Sequence, residues 1–371
     1  AASIGCALAP TIGALIALRA IQGVGGALLT PGALAIIQAS YAPADRAPAI
    51  GTWAGMSGVA AAIGPFVGGW LVDHGGWRWV FGINLPLCLA VILLAVYAVP
   101  ESRDDHLSGG FDLLGAVLTV VSLAAFTWAF TGASDAPAGQ LLGGCAVGVL
   151  AAVAFVVAER RMVHPMVPLS LFGSRIFSAA NGMTFLVYGA LGAVMFLFVL
   201  QLQVSAGWSA LAAGLSTLPV TIALMLLSSR AAALSHRIGP RVPMSLGPVL
   251  CAAGVLALVG IGSGAQWYAV LPGMTIFALG LALLVSPLTA TVLAAAPQRH
   301  AGVASGVNNA VARAGSLLAV AALPALAGLG GTAYQQPESM TRGYRIAMAV
   351  CAGLLAAGGL VSWFGAHGAH G

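Results

Sequence analysis

Arg19 and Gln22 stand three residues apart inside a long apolar stretch, and they are the residues of this chain best suited to handle charge. A guanidinium at mid-membrane depth costs roughly 2.5–3.5 kcal/mol on insertion scales. It therefore marks a partner or a pathway, unless it snorkels to the interface. Arg313 repeats the situation late in the chain, as an interhelix tie, and Asn308 and Asn309 before it read as interhelix hydrogen-bonders. All nine acids (45, 73, 101, 104, 105, 112, 135, 159, 338) sit in loops or at the ends of apolar runs; Asp73 reads as solvated, and Asp45 and Arg46 as a surface pair. The five Cys (6, 88, 145, 251, 351) are scattered singly, with no CxxC or metal-like spacing. They read as small apolar residues within helices. There is no HExxH, no GxSxG and no carboxylate cluster, so nothing implies an enzyme, a metal or a cofactor.

The elements that position these residues must be membrane helices. The chain is 60% hydrophobic and 6% charged, with a mean hydropathy of +1.00, against about 25% charged in average soluble domains. The net charge of +5 comes from scattered Arg without any Lys and forms no run, which argues against a nucleic-acid partner. Spans of about 20 apolar residues are predicted at 12–39, 48–72, 78–99, 112–132, 140–159, 177–201, 209–233, 243–262, 268–294, 303–329 and 344–366, with 1–9 as the tail of another. Alternate loops divide the Arg residues nine (46, 103, 160, 161, 175, 230, 237, 241, 299) to three (78, 342, 345). The positive-inside rule then puts the richer side, and the C-terminus, in the cytoplasm.

The second of those spans carries Gly51, Ala60, Gly64-Pro65 and Gly68-Gly69. In water each interior Gly would cost about 1 kcal/mol and the Pro about 3. In a membrane, neighbouring helices re-satisfy the backbone and small residues permit close packing. The stripe 60, 64, 68 is therefore expected to be a close-contact face. The segments 42–47 and 296–301 are alike (Ala-Pro-x-x-x-Ala), and each precedes a glycine-rich helix. Such a weak internal repeat is a mark of secondary transporters.

The Gly51/Ala60/Gly64-Pro65/Gly68-Gly69 pattern resembles the antiporter motif on the fifth helix of the major facilitator superfamily, with Ala60 where the family has Gly. Trp77-Arg78-Trp79, then Asn84 and Pro86, resembles the signature opening the sixth helix in its fourteen-helix drug:proton antiporters. Arg19 to Ala27 resembles the fourth-helix motif RxxQGxGxA, and Ala301 to Asn309 with Arg313 resembles the matching helix of the second half. Leu234 to Arg241, containing Arg237, Gly239 and Arg241, looks like the second-half copy of the cytoplasmic gating loop, with His236 where an acid is usual. Asp45 and Arg46 would belong to the same cytoplasmic gate.

The resemblance implies an all-α, polytopic fold of two helix bundles with two inserted central helices. Residues 1–99 would be the remainder of an N-terminal bundle (helices 3 to 6), 100–170 the inserted helices and linkers, and 171–371 a C-terminal six-helix bundle. The chain opens with Ala in apolar sequence and is expected to begin late in helix 3 of a longer parent. The family's usual proton-binding acid lies on helix 1, so these residues alone are expected not to catalyse coupled transport. Arg19 with Gln22 would serve proton coupling, the Gly-Pro motif would favour export over uptake, and Asn84 with Pro86 would hold the start of their helix.

The implied function is proton-coupled export of amphipathic or cationic small molecules, of the multidrug-efflux and antibiotic-resistance type. The setting would be a bacterial inner (plasma) membrane, and the partners lipid, organic substrate and protons, with the protein a monomer. Helices 12–39 and 268–294 would line the cavity, with 177–201 nearby and Met195, Phe196, Phe198, Gln201 and Gln203 either lining it or facing lipid. A metabolite importer on the same scaffold, or a degenerate, non-transporting membrane protein, are the alternatives.

Overall fold

The computed structural model describes residues 1–42, 45–99, 112–131, 137–162, 165–297 and 301–365. Among them the chain is helical without strands, as hydropathy demands: a backbone in lipid must satisfy its own hydrogen bonds. Fourteen α-helices follow in order: α1 (Ala2–Leu8), α2 (Ile12–Ser40), α3 (Arg46–Gly75), α4 (Trp79–Gly82), α5 (Asn84–Ala98), α6 (Leu113–Phe130), α7 (Ala138–Arg161), α8 (Arg175–Val204), α9 (Ala210–Leu215), α10 (Leu218–Ile238), α11 (Arg241–Leu258), α12 (Trp267–Ala294), α13 (Ala301–Leu326) and α14 (Pro337–Gly365). Nine stretches among the described residues are long and apolar enough to cross a bilayer. Every predicted span falls on a helix, but two are divided. The span 78–99 breaks at Ile83, and 209–233 breaks before Leu218. Pro86 and Pro219 sit in the first turns of α5 and α10, where a missing N–H does no harm and the preceding chain is steered out of helix.

The chain forms two compact units. The first is Ala1–Ser108 with Ser209–Leu218, and the second is Gly109–Trp208 with Pro219–Gly371. In the first, α3 packs on α9, and α1 packs on α2 and α4. In the second, α8 packs on α13 and α14, α11 on α12 and α14, and the hairpin of α6 and α7 leans on α13. Its core holds the fully buried Phe177, Phe198, Phe277, Met183, Met244 and Tyr344, whose hydroxyl donates to the Leu258 carbonyl at 3.1 Å. Glycine lets α11 and α12 touch: a Cβ on Gly254 would meet Phe277 N at 2.5 Å, and one on Gly247 would meet Gly280 O at 2.9 Å. Small residues facing each other are how helices associate where lipid is as apolar as leucine. On α5, by contrast, Leu87, Leu89, Val91, Ile92, Leu94 and Val96 are all exposed, as a lipid-facing helix requires.

Candidate functional site

Arg19 and Gln22 meet as their spacing suggests. Arg19 Nη1 donates to Gln22 Oε1 at 2.7 Å, and Gln22 Nε2 donates onward to Ser3 Oγ on α1 at 2.8 Å. The guanidinium carbon also sits 5.8 Å from the centre of the Phe81 ring. Phe81 makes an edge contact with Trp77 at 6.1 Å, and Arg78 stacks 4.6 Å over Trp77 while donating to the Ala9 carbonyl at 3.3 Å. The fourth-helix charge on α2 and the Trp-Arg signature thus form one cluster, with the Phe81 and Trp77 rings between the cations Arg19 and Arg78. Ser3 was not legible as a member, because nothing in its local spacing differs from ordinary helix. Trp79 packs beside Gly75, where a Cβ would lie 2.6 Å from its ring. Asn84 opens α5 and Pro86 follows in its first turn.

The Gly-Pro motif lies in α3, which runs unbroken through Pro65. Among the described residues of this unit, the contact α3 makes does not run along the stripe 60, 64, 68. Ala60 and Gly64 are exposed, and Cβ atoms on Gly64 and Gly68 would meet nothing within 4 Å. The contact runs instead along Pro65, Gly69 and Asp73, four residues apart and so on one side of the helix. A Cβ on Gly214 would lie 2.8 Å from Pro65 O, and one on Gly69 would lie 2.6 Å from Leu211 Cα and 2.9 Å from Ala210 O. Gly51 lies on α3, but its surroundings fall outside the described residues.

Asp73 is exposed, as expected of a solvated acid, and it also has partners. Its carboxylate accepts from the Ala210 N–H at 3.0 Å and the Leu211 N–H at 2.9 Å, the free donors at the start of α9. Asp73 lies just beyond the predicted 48–72 span. The Leu211 N–H holds its carboxyl below the usual range, with help from the Ala210 N–H, the Ser209 side chain and His74. The face 65/69/73 thereby joins backbone-tight packing to a charge-assisted cap on one short segment, 209–218.

In the second unit Asn308 reaches across to α8. Its Nδ2 donates to Asn181 Oδ1 at 3.2 Å and to Thr184 Oγ1 at 2.7 Å. Asn181 and Thr184 are buried, and each also donates back along its own helix. Asn309 and Arg313 are exposed, outside that cluster. Phe198 and Gln201 are buried in packing rather than lining open space. Gln201 Nε2 donates to the Ile261 carbonyl at 3.0 Å and to Thr341 Oγ1 at 2.9 Å.

At the gating loop Gly239 takes φ +82°, a left-handed conformation that favours glycine. Arg241 lies 3.9 Å over the Trp363 ring and donates to the Trp363 carbonyl at 3.0 Å, while Arg175 donates to the Phe364 carbonyl at 3.2 Å. Both cations therefore cap the C-terminal carbonyls of α14, where helix polarity favours positive charge. Arg237 and Asp45 are exposed; the side chains of Arg46 and His236 lie outside the described residues.

The family model of the Major Facilitator Superfamily matches residues 1–320. The multidrug resistance protein Stp of Mycobacterium tuberculosis is 33% identical over 327 residues, covering 86% of this chain and 60% of that protein. The tetracenomycin C resistance and export protein of Streptomyces glaucescens is 31% identical over 330 residues, covering 86% of this chain and 60% of that protein. The chain thus spans about three-fifths of these relatives. A bacterial homologue of the human lysosomal transporter Spinster, solved inward-facing and occupied, superposes with TM-score 0.64 at 16% identity, over 98% of this chain and 79% of that one.

Proposed function

The chain belongs to the major facilitator superfamily of membrane transporters, and from that premise we propose that it is a secondary active exporter of amphipathic or cationic small organic molecules. Export is exchanged for proton entry by alternating access. The protein works as a monomer in the bacterial plasma membrane, with its C-terminus on the cytoplasmic side where Arg is denser. The named activities of the resistance and export relatives support the direction of transport.

One observation carries the reading: Arg19, Gln22, Ser3 and Phe81 form a connected polar and aromatic cluster in the first unit. A membrane-embedded cation held by a neutral amide rather than by a carboxylate is free to answer a change of charge nearby. Arg19 and Gln22 therefore serve proton coupling, and the Pro65/Gly69/Asp73 face seals the path against leak. Asp45 and Arg46 in the first unit, and Arg237, Gly239 and Arg241 in the second, belong to cytoplasmic gating loops.

The test is dye efflux in a pump-deficient bacterium expressing the full-length gene product that contains these residues, with and without a proton uncoupler. Arg19→Ala should abolish uncoupler-sensitive efflux at unchanged membrane expression. Normal coupling in that variant removes Arg19 from the mechanism.

A further inference from the structure

Two carboxyl groups that this reading leaves unused converge at the base of the α6–α7 hairpin. Asp112 is the N-cap of α6, its Oδ1 accepting from the Gly115 N–H at 2.7 Å. Glu159 lies in the last turn of α7, its Oε2 accepting from the Val167 N–H at 3.2 Å. The side chains are only 8% and 3% exposed. Each keeps a second oxygen, Asp112 Oδ2 and Glu159 Oε1, that is buried with no hydrogen-bond partner among the described residues. Those two oxygens face one spot. A Cβ on Gly115 would lie 2.9 Å from Glu159 Oε1 and closer still to Asp112 Oδ2.

Among the described residues neither carboxyl has a cation against it. α6 holds no other charged side chain, and neither does the 3-10 turn 169–173. Arg160 and Arg161 follow Glu159 but are exposed, as is Arg313 on α13, and Arg175 is engaged with Phe364. Arg103, Asp104, Asp105, His106 and His164 lie outside the described residues.

Two ionised carboxylates here would be both acceptors, so neither orphan oxygen could satisfy the other. Burying two like charges in contact is also strongly unfavourable. A single proton turns one oxygen into a donor and resolves both problems at once. We propose that Asp112 and Glu159 are a proton-binding site, with one proton shared between Asp112 Oδ2 and Glu159 Oε1. Its occupancy governs how the segment 165–173 closes on the hairpin. Val167, the residue that donates to Glu159, also walls an apolar pocket of about 480 Å³ together with Thr119, Phe155, Phe172, Val307 and Val311. Loss of the proton sets two charges side by side, drives Glu159 away from Val167 and loosens that wall. The proposal is independent of the direction of transport and of Arg19.

Infrared titration of the protein in lipid nanodiscs tests it. A protonated-carboxyl C=O band amounting to one group per chain should persist at neutral pH. It should vanish in both Glu159→Gln and Asp112→Asn, whose amides supply the donor permanently. Those variants keep both backbone caps and should melt no lower than wild type. The melting temperature of wild type should fall as pH rises past neutrality, and that of Glu159→Gln should not. Absence of the band in wild type at neutral pH overturns the proposal, as does a band unchanged in both variants. Disappearance of the band when sodium or calcium is added at constant pH also overturns it, in favour of a metal-cation site.

Discussion

Replacing Gly69 with Ala should weaken the packing of α3 on the 209–218 segment, while the same change at Gly68 should be tolerated. The added methyl at position 69 would lie 2.6 Å from Leu211 Cα and 2.9 Å from both Leu211 N and Ala210 O. All three are backbone atoms that cannot rotate aside, so α9 itself must move. At position 68 the methyl enters open space. Both variants change helix propensity alike, so the difference between them isolates the clash. Overpacking of this kind costs about 1–3 kcal/mol, or roughly 5- to 150-fold in the packed-to-separated equilibrium. The measurement is thermal melting of the solubilised protein, followed by size-exclusion, with dye retention in vesicles as the functional arm. Gly69→Ala should melt lower and leak, and Gly214→Ala, whose methyl would lie 2.8 Å from Pro65 O, should match it. If Gly69→Ala and Gly68→Ala melt together, the 65/69/73 face is not the contact that closes this unit.

Asp73→Asn should flatten the acid side of the stability profile: with the native carboxyl held below its ordinary 3.8, its contribution is present above that value and fades as pH falls through the lowered one. Melting curves between about pH 5 and pH 3 check the sign. Asn308→Ala strips Asn181 and Thr184 of their cross-helix donor and should cost about 0.6–1.7 kcal/mol, the range of interhelical hydrogen bonds in membranes, read as a lower melting temperature. Arg241→Ala should lose about 0.5–1 kcal/mol of ring stacking over Trp363. Arg241→Lys should recover only part of it, because an ammonium lacks the flat face; parallel melts of the two variants decide it.

The helices themselves were legible because each is a local property: an apolar run long enough to span, closed by polar residues, Pro or Gly. So was the Arg19–Gln22 contact, since residues three apart on a helix are neighbours. Contacts between distant segments were not. Within the first unit the contacting face of α3 lies one residue round from the stripe 60, 64, 68, because a stripe of small residues says which faces can approach and not which one has a partner. The exposure of Asp73 was legible and its partners were not, since the donors it caps lie 137 and 138 residues away. Asn308 and Asn309 are equivalent in sequence, and only the rotation of α13 against α8 makes one of them a tie.

Composition and hydropathy by themselves determined that this is a multi-pass helical membrane protein, and the motifs pointed to its family. Both follow from short-range constraints, namely the bilayer's demand for self-satisfied backbone and the steric need for small residues at helix crossings. Only the tertiary structure decided which polar groups have partners. It drew Arg19 into the aromatic cluster, set Asp73 on α9, and brought Asp112 and Glu159, 47 residues apart in sequence, into one buried pair. The reason is that a carboxylate at a helix end looks the same in sequence whether water or protein faces it, and only packing chooses between them.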